Sequence, residues 1–500
     1  MAVVLAIDAG TSSVRAVVVS ESGQPIDGAA REFPQYYPRP GWVEHDPEEI
    51  WRAVSETVSA AVARLDQPIA AIGITNQRET AVVWDRRTGR PRHRAIVWQD
   101  RRTAARCTAL AAGGHLEMIR RQTGLVIDPY FSGTKLEWLL TDGGVEADPD
   151  LAFGTVDSWL IWRLTDGAVH ATDPSNASRT LLYDIRRLAW SEELTSLFRV
   201  PTSALPEVGP SSGRLGVTAP AAIAGLPAGI PIAGVAGDQQ ASLFGQACFE
   251  PGMTKNTYGT GSFVLMNVGP DCPEPVPGLL TSVAWNAGAG RTAYALEGAI
   301  FVTGAAIQWL RDGLGIIADA AEIGPLAASV DDPEGVVVVP AFTGLGSPWW
   351  DPYARGTILG LTRGSGRAQL ARAVVEAMAF QTRDVVDTMS ASSGTPIITL
   401  RIDGGASVMD LLVQLQADQL QIPVARSRFA DTTALGAAYL AGLAEGVWGS
   451  LDEVASLWSA DIEAAPRPRN EARYHQWRRA VDRARGWATQ SGNFQQKSCL

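Results

Sequence analysis

The start of the chain alternates short apolar runs with turns that contain glycine. The runs VVLAID and VRAVVV flank the turn AGTSS, and the turn ESGQP precedes a third strand-like stretch. This alternation predicts a β-hairpin followed by a third strand. Asp46 precedes a segment in which Ile50, Val54 and Val58 recur at helical spacing, which predicts a capped helix. A buried strand is expected from Ala70 to Ile74.

The same pattern returns near the middle of the chain. The stretch NTYGTGSFVLMNVG repeats the strand, Gly-Thr turn and apolar strand of DAGTSSVRAVVV. The repeat suggests a duplicated α/β unit with a boundary near Phe249. We therefore expect one domain over residues 1–249 and a second over residues 250–488. The polar tail over residues 489–500 lacks periodicity, and we expect it to be disordered.

Other segments carry weaker signals. FGTVDSWLIWRLTDG predicts a short strand and an amphipathic helix, and LGVTAPAAIAGLPAGIP, rich in glycine, alanine and proline, predicts loops. Pro231 to Ala236 predicts a strand, after which Asp238 stands at the start of a helix. An apolar helix is expected from Val408 to Leu420, and TALGAAY predicts a helix of small residues that packs closely.

Composition narrows the class of protein. The chain has 500 residues, too many for one ordinary core, so two large domains are expected. A formal net charge of -11 argues against nucleic acid as a partner. No apolar run reaches membrane-spanning length, and the first residues lack a basic leader and a cleavage site. The 4 scattered cysteines have neither zinc-site spacing nor disulfide density, which suits a cytoplasmic protein.

Two turns rich in glycine and hydroxyl groups are candidate phosphate sites. The first is DAGTSS over residues 8–13, and the second is YGTGS over residues 258–262. Such turns present backbone N–H groups to an anion, although each is also compatible with an ordinary hairpin turn. Neither is a Walker P-loop, because no Gly-Lys-Ser/Thr follows. Asp8, at the end of its strand, can hold hydrated magnesium. The Gly404-Gly405 pair allows a base or ribose to approach, or simply makes a tight turn.

Polar residues after two apolar strands are candidates for substrate binding. Arg78 and Glu79 follow the strand that ends at Ile74, and together they offer the donors and acceptors that a small polyol needs. The alternative is a surface ion pair. Asp238 can accept a hydroxyl proton, and its alternative role is to cap a helix. Zinc and hydrolase sites are poorly supported, since the histidines do not have the spacing of metal ligands and no Gly-x-Ser-x-Gly elbow occurs.

Taken together and in this order, the motifs resemble those of the FGGY carbohydrate kinases. The resemblance runs from about Val3 to beyond Gly449 and rests on many segments, among them GITNQRET, NASRTLLYDI, AGDQQASLFGQ, KNTYGTGSFVLMN and LEGAIFVTGAAIQWLRD. It implies an α/β fold of two actin-like ATPase domains of the ribonuclease H-like type, with a cleft between them.

The resemblance also implies a set of site residues. Asp238 would be the catalytic base, and Asp8 would organise hydrated magnesium. The remaining glycerol contacts would be Arg78, Glu79, Tyr130, Gln239, Trp98 and Phe263. The nucleotide contacts would be Thr11, Ser12, Ser13, Arg15, Thr260, Gly304, Gln308, Gly405 and Met409. Met409 departs from the family pattern, because relatives often carry an asparagine there, and a thioether cannot supply that amide hydrogen bond.

The activity implied is transfer of a phosphoryl group from magnesium-ATP to a terminal hydroxyl of glycerol, giving glycerol 3-phosphate and ADP. Two alternatives remain open: a kinase of a tetritol, pentitol or ketopentose, and a nucleotide-dependent chaperone or filament protein with the same fold. Glycerol and ATP would be the small-molecule partners, and the expected assembly is a homodimer or homotetramer.

Overall fold

A computed structural model describes residues 2–288 and 290–488, and the predicted disorder of residues 489–500 lies outside the described residues. Each half of the chain contains one large mixed sheet with helices packed against it. The expected two-domain α/β fold is therefore confirmed. Within the described part of the chain, no helix combines the length and apolar character needed to cross a membrane.

The strands of the described residues are, in chain order, β1 (Val3–Ala9), β2 (Ser13–Ser20), β3 (Pro25–Glu32), β4 (Glu44–His45), β5 (Ile69–Asn76), β6 (Val82–Asp85), β7 (Ala95–Ile96), β8 (Leu151–Gly154), β9 (Ala171–Thr172), β10 (Tyr183–Asp184), β11 (Ala189–Trp190), β12 (Glu207–Val208), β13 (Ser212–Val217), β14 (Pro231–Gly237), β15 (Met253–Tyr258), β16 (Ser262–Gly269), β17 (Leu280–Asn286), β18 (Thr292–Ile300), β19 (Val337–Val339), β20 (Thr357–Leu359), β21 (Thr399–Asp403), β22 (Val424–Ser427) and β23 (Ala460–Ala464). The α-helices are α1 (Pro47–Val62), α2 (Ala104–Ala112), α3 (Leu116–Thr123), α4 (Ser132–Thr141), α5 (Val156–Leu164), α6 (Pro174–Ala177), α7 (Glu192–Leu197), α8 (Asp238–Gly245), α9 (Gly304–Gln308), α10 (Ile323–Ala328), α11 (Arg367–Ser393), α12 (Asp410–Leu420), α13 (Thr432–Ala444), α14 (Leu451–Leu457) and α15 (Glu471–Ala484).

The sheet of the N-terminal half has the strand order β13-β14-β5-β1-β2-β3. Strand β1 pairs antiparallel with β2, as the hairpin pattern predicts, and parallel with β5, which pairs parallel with β14. Because parallel strands end at one edge, Asp8 pairs with Thr75 and Gly237 pairs with Asn76 at the same end of the sheet. This edge brings together the residues that follow the three strands.

The sheet of the C-terminal half repeats this arrangement with the order β17-β18-β16-β15-β21-β22-β23. Strand β15 forms a hairpin with β16 and pairs parallel with β21. The predicted echo of the first hairpin is therefore present. Tyr258 and Ser262 face each other at the mouth of the turn, and β21 ends at Asp403, just before the double glycine.

Small residues join the two halves where α8 packs against α13. A Cβ atom on Gly436 would lie 1.8 Å from the carbonyl oxygen of Ala241, and one on Gly245 would lie 1.9 Å from that of Thr432. Either substitution would force the helices apart. The helix of small residues predicted from TALGAAY thus packs closely, as expected.

Three local predictions need correction. Helix α5 is not amphipathic: nearly all its residues are buried, because it packs against the core that includes Trp84 and Ile50. Residues 215–217, predicted as loop, form the end of β13, where Gly216 and Val217 pair with β14. Helix α12 begins at Asp410, since Gly405–Val408 form a separate 3-10 turn.

Candidate active site

Asp238 lies at the carboxyl end of β14 and is the first residue of α8. The N-cap is Gly237, so the reading of Asp238 as a helix cap is wrong. Its Oδ1 accepts the N–H of Gln239 at 2.7 Å, and 30% of the side chain is exposed. Burial raises the pKa of Asp238 to about 6, against the opposing effect of Arg78. A carboxylate with this pKa is suited to accept a proton near neutral pH.

Arg78 and Glu79 are buried rather than paired at the surface. Their side chains are 2% and 1% exposed, which excludes the surface ion pair. The Arg78 Nε lies 3.3 Å from Oδ1 of Asp238. Glu79 accepts the Nε–H of Arg179 at 2.6 Å and has a φ of 62°, in the left-handed region that non-glycine residues rarely adopt. Such local strain is common where a side chain must point into a site.

Aromatic rings lie beside these charges. The ring of Tyr130 lies 5.6 Å from that of Trp98, and the Tyr130 hydroxyl accepts a hydrogen bond from Arg78 at 3.4 Å. Burial raises the pKa of Tyr130, so its hydroxyl is protonated at neutral pH. The Phe263 ring lies 5.8 Å from the Arg78 guanidinium. The fold thus brings the polar and aromatic members of the predicted substrate set together.

The first candidate phosphate turn is closed by a hydrogen bond from the Gly10 N–H to the Ser13 carbonyl at 3.0 Å. The Trp98 indole donates to the Thr11 hydroxyl at 2.9 Å, which links this turn to the aromatic side of the substrate set. Arg15 donates to Asp8 at 2.7 Å and forms an ion pair with Asp431 of the other half. Ser12 is exposed at the tip of the turn.

Hydrated magnesium fits the chemistry around Asp8. The carboxylate is 6% exposed at the end of β1, and burial raises its pKa while Arg15 lowers it. A cation near this group would compensate the buried negative charge that Arg15 balances only in part. Magnesium commonly uses one or two carboxylates together with waters and substrate phosphates.

A cavity of about 690 Å³ in the C-terminal half gathers the rest of the predicted nucleotide contacts. Its lining includes Thr260, Gly304, Gln308, Gly405 and Met409. Most other lining residues are apolar, as suits the faces of a purine base. The first turn, over residues 8–13, is not part of this lining.

The two adjacent glycines at the cavity differ in backbone conformation and in the space available for a side chain. Gly404 has a φ of 85°, and a Cβ there would lie 2.4 Å from the carbonyl oxygen of Tyr258. Gly405 has no positive φ, and a Cβ on it would meet no atom within 4 Å. Gly404 is therefore required by the fold, whereas Gly405 lies at the cavity wall with open space beside it.

Three charged residues of the site were not identified as site residues from the sequence alone. Arg179 and Glu297 are 0% exposed and contact Arg78 or Glu79, and Lys255 is fully buried and donates to Gln239. Burial lowers the pKa of Lys255 to about 8. Each lies in a segment that shares the family resemblance, but nothing in the local pattern separates these charges from surface ones.

The chain belongs to the FGGY family of carbohydrate kinases. Residues 3–245 match the N-terminal domain of that family, and residues 254–445 match its C-terminal domain. The predicted boundary between residues 249 and 250 falls in the gap between these ranges and stays a prediction.

Similar proteins cover nearly the whole chain. A glycerol kinase of Bordetella parapertussis is 54% identical over 498 residues, covering 97% of each chain. Glycerol kinase 2 of Thermotoga maritima is also 54% identical, over 97% of this chain and 99% of its own. The crystal structure of Plasmodium falciparum glycerol kinase with ADP has a TM-score of 0.92 at 34% identity, over 97% of this chain and 98% of that one.

Proposed function

We propose that the protein transfers the γ-phosphoryl group of ATP to a terminal hydroxyl of glycerol. The observation that carries this proposal is the carboxylate of Asp238, which follows β14 and lies 3.3 Å from the Nε of the buried Arg78. Glu79, which accepts from Arg179, and Tyr130, which accepts from Arg78, add donor and acceptor groups beside this pair. The similar proteins named glycerol kinase support the same substrate.

In the proposed mechanism, Arg78 and Glu79 hold the glycerol hydroxyls, and Trp98 and Phe263 cover the carbon chain. Asp238 orients the attacking hydroxyl and accepts its proton late, because phosphoryl transfer passes through a loose transition state. Gln239 lies next to Asp238 and is itself held by Lys255.

ATP is proposed to lie between the two halves. Its base and ribose occupy the cavity lined by Gln308, Gly405 and Met409, and its phosphates run past Thr260 and Gly304 toward the first turn, where Thr11, Ser12, Ser13 and Arg15 contact them. Magnesium, held through water near Asp8, would supply positive charge to the phosphates. We further expect a cytoplasmic location and a homodimer or homotetramer.

A single assay separates this function from that of a chaperone or filament protein with the same fold. ADP release is followed at fixed magnesium-ATP with and without glycerol. We expect turnover to require glycerol, since the pocket wall around Arg78 has no role in a simple ATPase. ATP hydrolysis of equal rate in both mixtures would contradict the proposal.

A further inference from the structure

Glu297 is a charged residue of the C-terminal half that reaches the proposed glycerol pocket of the N-terminal half. It belongs to β18 and is 0% exposed. Its two carboxylate oxygens accept Nη1–H and Nη2–H of Arg78 at 2.7 and 3.0 Å. The same carboxylate accepts from Nη1 of Arg179 at 3.3 Å. One carboxylate therefore fixes two buried guanidinium groups.

The geometry leaves Asp238 as the weaker partner of Arg78. Both terminal nitrogens of Arg78 point to Glu297 in a bidentate pair, the strongest arrangement for arginine and carboxylate. The nearest approach of Asp238 to Arg78 is the 3.3 Å between its Oδ1 and the Nε. Arg179 continues the chain of charges, because its Nε donates to Glu79 at 2.6 Å. The orientation of both Arg78 and Glu79 thus depends on Glu297.

We propose that Glu297 is a positioning residue for the polyol site: it orients Arg78 directly and Glu79 through Arg179. The half of the protein that binds the nucleotide thereby completes the pocket for the acceptor. This inference rests on the proposed function, because it assumes that Arg78 and Glu79 contact glycerol.

The chain connects Glu297 to the nucleotide cavity over a short distance. Strand β18 ends at Ile300, and Gly304 begins α9 four positions later. The N–H of Thr303 donates to the carbonyl of Thr260 at 3.0 Å, so both segments of the cavity wall are tied to the end of this strand.

The charge of Glu297 matters as much as its shape. Burial alone would raise its pKa, but Arg179 and Arg78 lower the pKa of Glu297 to about 2, so the group is ionised at any working pH. Without this charge, two buried cations lose their shared partner. Arg78 would then turn toward the carboxylates that remain near its Nε, Asp238 at 3.3 Å and Glu79 at 3.9 Å, and away from the position in which it receives a hydroxyl.

The test compares Glu297→Gln with a matched control, Glu376→Gln. Glu376 is also a buried carboxylate shared by two arginines, accepting from Arg473 at 2.7 Å and from Arg372 at 3.2 Å, but it lies on α11 outside the proposed site. Both variants lose a buried ion pair, so both are expected to lose stability. Only Glu297→Gln is expected to raise the KM for glycerol, by roughly tenfold or more, the usual effect of a lost charged hydrogen bond.

The KM for ATP separates positioning from general damage. We expect the KM for ATP of Glu297→Gln to stay within about threefold of the parent value. A change this small, compared with the roughly tenfold effect of one lost interaction, indicates an intact nucleotide site. A folded Glu297→Gln enzyme with the parent's KM for glycerol would overturn the proposal. An equal rise in the KM values of both substrates would also overturn it.

A second variant covers the case in which Glu297→Gln does not fold. Arg179→Lys keeps the positive charge but loses the planar fork that joins Glu297 to Glu79. A raised KM for glycerol at constant KM for ATP supports the inference, and unchanged KM values overturn it. Failure of the proposed function gives a different result, in which the parent enzyme itself does not phosphorylate glycerol. The same variants are then measured with the polyol that the parent accepts.

Discussion

Replacement of Asp238 by asparagine tests the proposed base most directly. Asp238→Asn keeps the size of the side chain and its place at the start of α8 but removes the proton acceptor. General-base groups contribute about 10²- to 10⁴-fold to a rate. Because the proton leaves late in phosphoryl transfer, we expect the low end of this range, a fall in kcat of about 10²-fold. That loss equals about 2.7 kcal/mol of transition-state stabilisation.

The same substitution is not expected to weaken folding. The pKa of Asp238 rises from 3.8 to about 6 in the folded protein, so ionisation of this group is less favourable in the folded than in the unfolded state. The resulting loss of stability grows as the pH rises from 3.8 and is complete above about 6. A neutral asparagine removes this penalty at pH 7. The melting temperature of Asp238→Asn should therefore equal or exceed that of the parent, and ATP binding should persist.

The assay is steady-state ADP release at saturating glycerol and magnesium-ATP, with a thermal melt and ATP titration on the same samples. A folded variant that binds ATP and turns over at near the parent rate would refute the role of Asp238 as base. A large loss of melting temperature would refute the reasoning from its pKa.

Four further predictions concern neighbouring groups. The kcat/KM for glycerol should fall tenfold per pH unit below about 6, as Asp238 becomes protonated, and a flat profile down to pH 5 would contradict this. Glu79→Ala should raise the KM for glycerol far more than that for ATP, and equal rises in steady-state assays would mean that the pocket is misplaced. Gly404→Ala should lower the free energy of unfolding in urea by about 1–2 kcal/mol or more, whereas Gly405→Ala should leave it unchanged and weaken ATP binding. A larger loss of stability in Gly405→Ala than in Gly404→Ala would count against the cavity assignment. Met409→Asn should increase the preference for ATP over GTP in competition assays, and an unchanged ratio would show that this position does not contact the base.

Much of the fold could be predicted because its signals are local. The hairpin turns are marked by glycine, and Asp46 caps α1 through the N–H of Glu48 at 2.9 Å. The burial of α5 could not be predicted in this way, because its partner Trp84 comes from a separate part of the chain. Hydrophobic periodicity distinguishes an apolar face of a helix from a polar one. It does not identify a helix such as α5, which is surrounded by protein on nearly all sides.

The same limit applies to the candidate site. Asp238 and Arg78 follow apolar strands, a position that marks them as candidates without any structure. Glu297 pairs with Arg78 across 219 residues, and no local pattern indicates such a contact. Likewise, the local sequence of β15 does not indicate that Lys255 contacts Gln239; only the fold brings the two residues together.

The central claim is that glycerol is the acceptor of the phosphoryl group. The most direct measurement is kcat/KM for a panel of glycerol, erythritol, xylitol and xylulose, by ADP release at saturating magnesium-ATP, with the product identified by phosphorus magnetic resonance. We predict that glycerol gives the highest value by at least about tenfold, since each extra hydroxyl left unpaired at the proposed site costs about 1–3 kcal/mol. A higher kcat/KM for any of the other three acceptors would contradict the account.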